Sequence, residues 1–232
     1  MDSFPSSEPL RPVTQSEIAS FASDGVVYLP NIVEKNWIEL LNSSLELMLK
    51  DSKMFADLTA LSSDLNKTQS LAAITENESK AGRFLSGVDH WKEDKNFAAF
   101  AKISPLPSIV AKLMNSKTVY LYEDSVLIKE PCTAEETAFH QDLGYFHLKG
   151  ENVCTVWAPL DHVDSETGSV VYLRSSHKNK KVFKPNWFVV NEPLPDVEGN
   201  DLPNIEIDDK KLDLVRFDTK PGDLVVHHAL TL

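Results

Sequence analysis

The residues with the clearest chemical potential are His140 and Asp142, separated by Gln141 in the run Phe139-His140-Gln141-Asp142. In an extended strand, residues two apart point to the same face, so this spacing aims an imidazole nitrogen and a carboxylate oxygen at one point. Non-haem iron oxygenases hold iron(II) with two histidines and one carboxylate on one face and leave the other positions open. The pair supplies two of those three ligands. A His-x-Asp sequence alone, however, is more often a surface histidine near an aspartate.

The secondary-structure elements that must position this pair are predicted to be mainly helices in the first half of the chain and strands in the second half. Thr14 and Glu17 have the spacing of a capping box before an apolar helical pattern, and a strand is expected at 26–29. Helical periodicity follows at 35–50 and 98–115, with an interruption of the second helix expected around Pro105 and Pro107. Beyond residue 118, the strand candidates are 118–122, 125–129, 136–140, 153–158, 170–173, 212–217 and 223–228. Helices followed by many short strands predict an α+β fold with a β-sandwich or jelly-roll core.

Length and composition describe a single globular domain. The chain has 232 residues, of which 42% are hydrophobic and 25% charged, and this is enough for one hydrophobic core. Residues 1–12 are rich in proline and serine and are expected to form a flexible tail before one domain at 13–232. The long segment 180–209 contains four prolines and is a candidate lid. No run of 18 apolar residues predicts a membrane span.

The net charge and the cysteine content indicate which partners and which cellular compartment to expect. The formal net charge of −12 argues against a nucleic-acid binder, which needs a basic face, but it does not identify a substrate. Two cysteines, Cys132 and Cys154, are too few for a disulfide framework. We therefore expect a reducing intracellular compartment, with the cytoplasm preferred to a peroxisome or mitochondrion. The N-terminus lacks the basic-then-apolar pattern of a signal peptide.

Several runs around the His-x-Asp pair resemble, in order and spacing, the phytanoyl-CoA dioxygenase (PhyH) family. They are 24–30, 128–131, 137–146, 156–161, 166–173, 175–178 and 220–228. Family members have a tryptophan after the His-x-Asp, then a Ser-His turn and a Gly-Asp strand, which correspond here to Trp157, His177 and Asp223. One departure is that Arg174 and Ser175 stand where the family has Pro-Gly. The resemblance implies a double-stranded β-helix (jelly-roll, cupin-like) core with the N-terminal helices packed on one sheet.

The resemblance also implies an iron(II)- and 2-oxoglutarate-dependent dioxygenase that hydroxylates an unactivated C–H bond of a small molecule. Dioxygen is the oxidant, and ascorbate is an accessory reductant. By the family pattern, His140 and Asp142 bind the metal, and Trp157 and Ser125 lie beside 2-oxoglutarate. The third metal ligand comes ten residues after the aspartate of the Gly-Asp strand, which is position 233, one beyond Leu232. An arginine that binds the far carboxylate of 2-oxoglutarate follows later still.

The family pattern therefore predicts a chain that stops before its last strands and turns over poorly. Two alternatives remain for the third ligand. His227 or His228 could serve as a surrogate, although neighbouring strand positions point to opposite faces. The chain could instead be a catalytically inactive jelly-roll protein with a binding or regulatory role. A His-x-Asp metal enzyme on a cupin-like barrel that does not use 2-oxoglutarate is a further alternative.

Overall fold

Every α-helix of the described chain ends before residue 114, whereas most strands lie after it. The computed structural model describes residues 4–51, 53–59, 61, 82–133 and 135–232. The helices are α1 (Gln15–Asp24), α2 (Lys35–Met48), α3 (His90–Glu93), α4 (Lys95–Ile103) and α5 (Leu106–Leu113). The strands are β1 (Val26–Leu29), β2 (Ala56–Asp57), β3 (Phe84–Val88), β4 (Ser125–Lys129), β5 (Cys154–Trp157), β6 (Val171–Leu173), β7 (Leu214–Arg216) and β8 (Leu224–His228). The predicted α+β class is confirmed.

The turn from α1 into β1 is set by local sequence. The Thr14 hydroxyl accepts a hydrogen bond from the Glu17 amide at 3.2 Å, and the Glu17 carboxylate accepts one from the Thr14 amide at 2.8 Å. This is the capping box that the sequence predicts. Gly25 ends the helix with φ at 77°, and a Cβ there would lie 2.3 Å from the His177 ring. Only glycine fits both the backbone conformation and the close approach.

The sheet β1-β8-β5 separates the helices from the candidate site. Its strands are antiparallel, and His227 of β8 pairs with Val26 on one side and Thr155 on the other. Because side chains alternate along a strand, the sheet has two different faces. The face that packs in the main core with the helices carries Val27, Leu29, Val156, Leu224 and Val226. The opposite face, called the inner face below, carries Val26, Thr155, Trp157, Val225 and His227.

Two further antiparallel sheets complete the described strands. One has the order β2-β3-β4 and pairs Leu85 with Ile128. The other pairs β6 with β7, and Tyr172 of β6 packs with Val225 of β8 on the inner face. All the sheets among the described residues are therefore antiparallel.

The interruption predicted in the helix 98–115 is confirmed, because Ser104 precedes Pro105 and adopts an extended conformation that ends α4. Other predicted elements differ from those observed. Among the described residues, neither 118–122 nor 136–140 forms a strand. The backbone of 136–140 instead bonds to a distant loop, since the Ala138 amide donates to the Phe188 carbonyl at 2.8 Å. Long-range contacts of this kind leave no periodic signal in the sequence.

The segment predicted to be a flexible tail makes specific contacts where the structure describes it. Phe4 stacks on Trp37 with ring centroids 5.9 Å apart, and the Trp37 indole donates to the Ser6 carbonyl at 2.9 Å. The Leu10 amide donates to the Ile32 carbonyl at 2.9 Å. Residues 4–12 therefore lie against α2 and the loop after β1, and residues 1–3 are outside the described chain. Among all the residues that the structure describes, no helix is both long enough and apolar enough to cross a membrane.

Candidate active site

His140 and Asp142 come together, although neither lies on a strand. His140 is in an irregular segment and Asp142 begins a 3₁₀ turn, so the predicted strand is wrong here. The side chains still meet, with His140 Nε2 3.4 Å from Asp142 Oδ1. Gln141 between them is extended, with φ −111° and ψ 133°, and this single residue keeps its two neighbours on one side. Its own buried side chain points away and donates to the Leu230 carbonyl at 2.7 Å.

The ring of His140 is held in one tautomer. Its Nδ1 lies 2.8 Å from the Ala138 carbonyl oxygen, which only accepts, so Nδ1 carries the proton. The neutral ring then turns the lone pair of Nε2 towards the carboxylate of Asp142. Two acceptors facing each other require a proton or a cation between them. Burial is the largest single influence and lowers the pKa of His140, but the hydrogen bond to Asp142, the charge of Asp142 and the Ala138 carbonyl together raise it by more, so the net shift is upward.

Asp142 is held as a carboxylate by two further groups. The Thr155 hydroxyl donates to Oδ2 at 2.5 Å, and His227 Nε2 lies 2.8 Å from the same oxygen. Burial would raise the pKa of Asp142, but the imidazoles of His227 and His140 outweigh burial and hold that pKa well below its usual range. An ionised carboxylate beside an unprotonated imidazole nitrogen is a donor set that suits a divalent metal, so the residues present fit iron(II).

Of the two histidines proposed as surrogate ligands, only His227 reaches the pair. The alternation of β8 places His227 on the inner face, whereas the His228 ring packs at a tilt against His177, with ring centroids 5.2 Å apart. A cavity of about 210 Å³ lies beside His228 and His177, away from Asp142. Among the described residues, no group of three His, Cys, Asp or Glu side chains has the geometry to hold a metal ion. His227 is therefore observed as a hydrogen-bond partner of Asp142.

Trp157 and Ser125 occupy different parts of the fold. Trp157 lies two residues after Thr155 on β5, so both side chains share the inner face, and Trp157 packs in the cluster of Val26 and Val225. Ser125 begins β4 in another sheet, where it is exposed and pairs with Val88. None of the contacts among the described residues links Ser125 to the His-x-Asp pair. The structure brings one of the two predicted cosubstrate residues to the face of the site.

Sequence reasoning missed the aromatic residues around the pair. The His140 ring packs edge-on against Tyr145, with centroids 5.5 Å apart, and against Phe188 at 5.1 Å. Tyr145 lies in the family-like run 137–146 that contains Asp142, so the sequence offered a reason to place it near the pair. Phe188 lies 48 positions from His140, and nothing in the sequence indicated that it would pack there. Tyr172 packs on the other side of the site, 5.0 Å from the His227 ring.

Two buried polar atoms near Asp142 have no hydrogen-bond partner within the described chain. They are the Tyr172 hydroxyl and His227 Nδ1. Burial, and next the charge of Asp142, raise the pKa of Tyr172, so its hydroxyl stays protonated. Buried polar atoms are normally satisfied, so each exception calls for an explanation, such as a catalytic role or a bound water or ion. These orphaned atoms on the inner face agree with a site that receives a ligand.

Comparisons with known proteins identify a family model and several solved structures that this chain resembles. A family model described as phytanoyl-CoA dioxygenase (PhyH) matches residues 21–232. The solved structure of the non-heme alpha ketoglutarate dependent carbocyclase SnoK from nogalamycin biosynthesis is 17% identical, with a TM-score of 0.66 over 94% of this chain and 76% of that one. No match was found among curated proteins.

Two other solved structures contain bound ligands. The epimerase SnoN in complex with Fe3+, alpha ketoglutarate and nogalamycin RO is 17% identical, with a TM-score of 0.58 over 94% of this chain and 74% of that one. EctD from S. alaskensis with 2-oxoglutarate and 5-hydroxyectoine is 14% identical, with a TM-score of 0.62 over 95% of this chain and 69% of that one. At these identities the similarity shows a common fold.

Proposed function

This chain belongs to the phytanoyl-CoA dioxygenase (PhyH) family, and we propose from that membership that it is an iron(II)- and 2-oxoglutarate-dependent dioxygenase. The observation that carries the proposal is the convergence of His140 Nε2 and the Asp142 carboxylate at 3.4 Å, with the ring tautomer fixed by Ala138. The family supports iron and 2-oxoglutarate as cofactors, and so do the ligands bound in SnoN and EctD.

The finer part of the proposal is that the enzyme hydroxylates an unactivated C–H bond of a small molecule. Among its structural neighbours, SnoK is a carbocyclase and SnoN an epimerase, so one fold supports several outcomes. We also propose that the antiparallel sheets belong to a double-stranded β-helix. Its support is the sheet β1-β8-β5, which packs with helices on one face and carries the candidate site on the other.

In this proposal His140 and Asp142 hold the metal, and the surrounding groups hold these two ligands. The Ala138 carbonyl keeps the proton on Nδ1, so that Nε2 is free to bind. Thr155 and His227 both bond to Asp142 Oδ2, which directs Oδ1 towards His140. When bound, iron(II) and 2-oxoglutarate supply the activation of dioxygen that C–H attack requires.

Two parts of the site remain predictions. The family pattern places the third metal ligand at position 233, and it places Ser125 beside 2-oxoglutarate. Trp157 has better support as a cosubstrate neighbour, because it shares the inner face with Thr155, the hydrogen-bond donor to Asp142. A planar indole at that position would shield 2-oxoglutarate from water. Its replacement by leucine should weaken 2-oxoglutarate binding and leave binding of the metal alone unchanged.

The proposal is tested by measuring succinate formed from 2-oxoglutarate with and without iron(II), since these enzymes decarboxylate 2-oxoglutarate slowly even without substrate. In protein that includes the third ligand predicted at position 233, we expect succinate formation that requires iron(II) and that His140→Ala abolishes. Succinate formation at the same rate in His140→Ala, or in the presence of a chelator, would contradict the assignment. A protein that binds 2-oxoglutarate without any turnover would instead support the binding-protein alternative.

A further inference from the structure

Part of the predicted lid is fixed against the chain that carries His140. The Phe188 carbonyl accepts a hydrogen bond from the Ala138 amide at 2.8 Å, and the Ala138 carbonyl accepts the bond from His140 Nδ1 at 2.8 Å. The Phe188 ring also lies 5.1 Å from the His140 ring. Phe188 is thus connected to the imidazole twice, once through the backbone of Ala138 and once through its side chain.

Asn186 is the centre of these connections. Its side chain is 3% exposed, and all its polar atoms have partners. Oδ1 accepts from the Tyr145 hydroxyl at 2.6 Å and from the Phe188 amide at 2.9 Å, while Nδ2 donates to the Phe139 carbonyl at 2.9 Å. The Asn186 amide also donates to the Tyr145 hydroxyl at 3.1 Å. The side-chain amide of Asn186 therefore links Tyr145 and Phe188, the two aromatic residues that pack on His140, to the backbone of Phe139, the residue before His140.

Phe188 has an unfavourable backbone conformation, with φ at +70°. A bulky residue rarely adopts the left-handed region, and it does so only where surrounding contacts hold it there. The two backbone hydrogen bonds of Phe188, to Asn186 and from Ala138, are those contacts. Such strained positions concentrate near ligand sites, and this one lies directly against His140.

We propose that Asn186 is a positioning residue that holds Tyr145 and Phe188 against His140, so that the imidazole keeps its Nδ1–H tautomer and presents Nε2 to Asp142. The consequence for the metal depends on the proposed function, but the fixed tautomer is a property of the protein before metal binds. The two aromatic rings leave the imidazole little freedom to rotate, and the bond to Ala138 selects the nitrogen that faces Asp142. Fixed ligands bind a metal more tightly than mobile ones.

The experiment compares Asn186→Ala with a matched control, Asn200→Ala. Asn200 lies in the same long segment, and its side chain donates to the Val182 carbonyl at 3.0 Å at an exposed position away from His140. In protein labelled with ¹⁵N at histidine, the ring nitrogen signals report the tautomer of His140 without metal, at a pH high enough for the imidazole to be neutral. Titration with cobalt(II) alone then reports metal affinity.

We expect a single Nδ1–H tautomer of His140 in the unmodified protein and in Asn200→Ala, and a mixture of tautomers in Asn186→Ala. Cobalt(II) binding by Asn186→Ala should be weaker by about tenfold, as for the loss of other groups that orient a metal ligand. Tyr145→Phe removes the hydrogen bonds between the Tyr145 hydroxyl and Asn186 but keeps the ring and the other bonds of Asn186, so it should show a smaller change in the same direction. It also decides the question if Asn186→Ala does not fold.

An unchanged His140 tautomer in folded Asn186→Ala would overturn the proposal. Equal losses in Asn186→Ala and Asn200→Ala would also overturn it, because they would show a general effect of the loop. If the unmodified protein fails to bind cobalt(II), the proposed function fails, while the tautomer measurement still decides the role of Asn186.

Discussion

Two His-x-Asp sequences occur in this chain, at 140–142 and at 162–164, and they have different surroundings. The side chains of His140 and Asp142 are 20% and 18% exposed, and their closest nitrogen and oxygen atoms are 3.4 Å apart. Those of His162 and Asp164 are 65% and 34% exposed and 3.9 Å apart. The same spacing therefore produces one partly buried, fixed pair and one loose pair in solvent.

The partners of the two aspartates explain the difference. Asp164 Oδ1 accepts from the amides of Glu166 and Thr167 and from the Thr167 hydroxyl, at 2.9 to 3.1 Å. These are local bonds of a turn, and the bond from Glu166 is the largest cause of the lowered pKa of Asp164. Asp142 instead bonds to Thr155 and His227 on two different strands. A metal site requires the second arrangement, because only contacts distant in sequence can bury and orient both ligands.

Replacement of a metal ligand should give the largest difference in metal affinity between the two His-x-Asp pairs. Loss of an outer hydrogen-bond partner lowers metal affinity by about 10–100-fold, so His140→Ala or Asp142→Ala should lower cobalt(II) affinity by more than about 100-fold. His162→Ala and Asp164→Ala should bind as the unmodified protein does. Calorimetric titration measures all four variants, and equal affinities across the four would show that the pair at 140–142 holds no metal.

Loss of the groups that hold Asp142 should have an intermediate effect. Thr155→Val removes the hydroxyl that donates to Oδ2 and keeps the shape of the side chain. Cobalt(II) affinity should fall by about tenfold, because the carboxylate is less well oriented. Thr167→Val is the matched control, since it removes a hydroxyl that bonds to Asp164. If Thr167→Val lowered affinity as much as Thr155→Val, the effect would not come from the site.

The two aspartates should also contribute differently to stability in acid. The folded-state pKa of Asp142 is depressed, so its contribution is present above its unfolded value near 3.8 and is lost as pH falls towards the folded value. Asp142→Asn should therefore lower the free energy of unfolding at pH 7 by about 1–3 kcal/mol, the cost of leaving buried partners unpaired, and by less near pH 3. Urea unfolding at both pH values measures this.

Asp164→Asn provides the comparison for that measurement. Its carboxylate is held mainly by exposed turn amides, so we expect a smaller change at pH 7. Equal losses in the two variants at pH 7 would mean that the contacts of Asp142 with His227 and His140 contribute no additional stability.

The smallest expected effect concerns Tyr172, whose buried hydroxyl has no partner within the described chain. A buried hydroxyl without a partner is destabilising, so Tyr172→Phe should raise the melting temperature slightly, by the equivalent of about 1 kcal/mol. It should also weaken binding of any ligand that the hydroxyl contacts on the inner face. A clear loss of stability in the absence of ligand would show that the hydroxyl has a structural partner.

Local features of this fold were predictable from the sequence. The capping box at Thr14 and Glu17, and the glycine that turns α1 into β1, depend on neighbouring residues alone. The family-like spacing of the runs around His140 and Asp142 was also sufficient to predict the family. The pair itself was correctly located because one extended residue, Gln141, keeps both side chains on one side.

The surroundings of the pair were not predictable in the same way. The stretch 136–140 has the composition of a strand, but its backbone bonds to Phe188 and Asn186, 47 to 50 positions away. The role of His227 depends on the pairing of β8 with β5, which places it beside Thr155. Periodicity reports which face of an element is buried, but it does not report which distant element covers that face.

The central claim is that iron(II) binds at His140 and Asp142, and paramagnetic broadening of histidine ring signals tests it most directly. Manganese(II) can replace iron(II) in ¹⁵N-histidine-labelled protein, where it broadens the signals of nearby nuclei. We predict that the His140 signals disappear first, at the lowest metal concentration, while those of His162 persist. Disappearance of the His162 signals first, or equal broadening of both histidines, would contradict the proposed site.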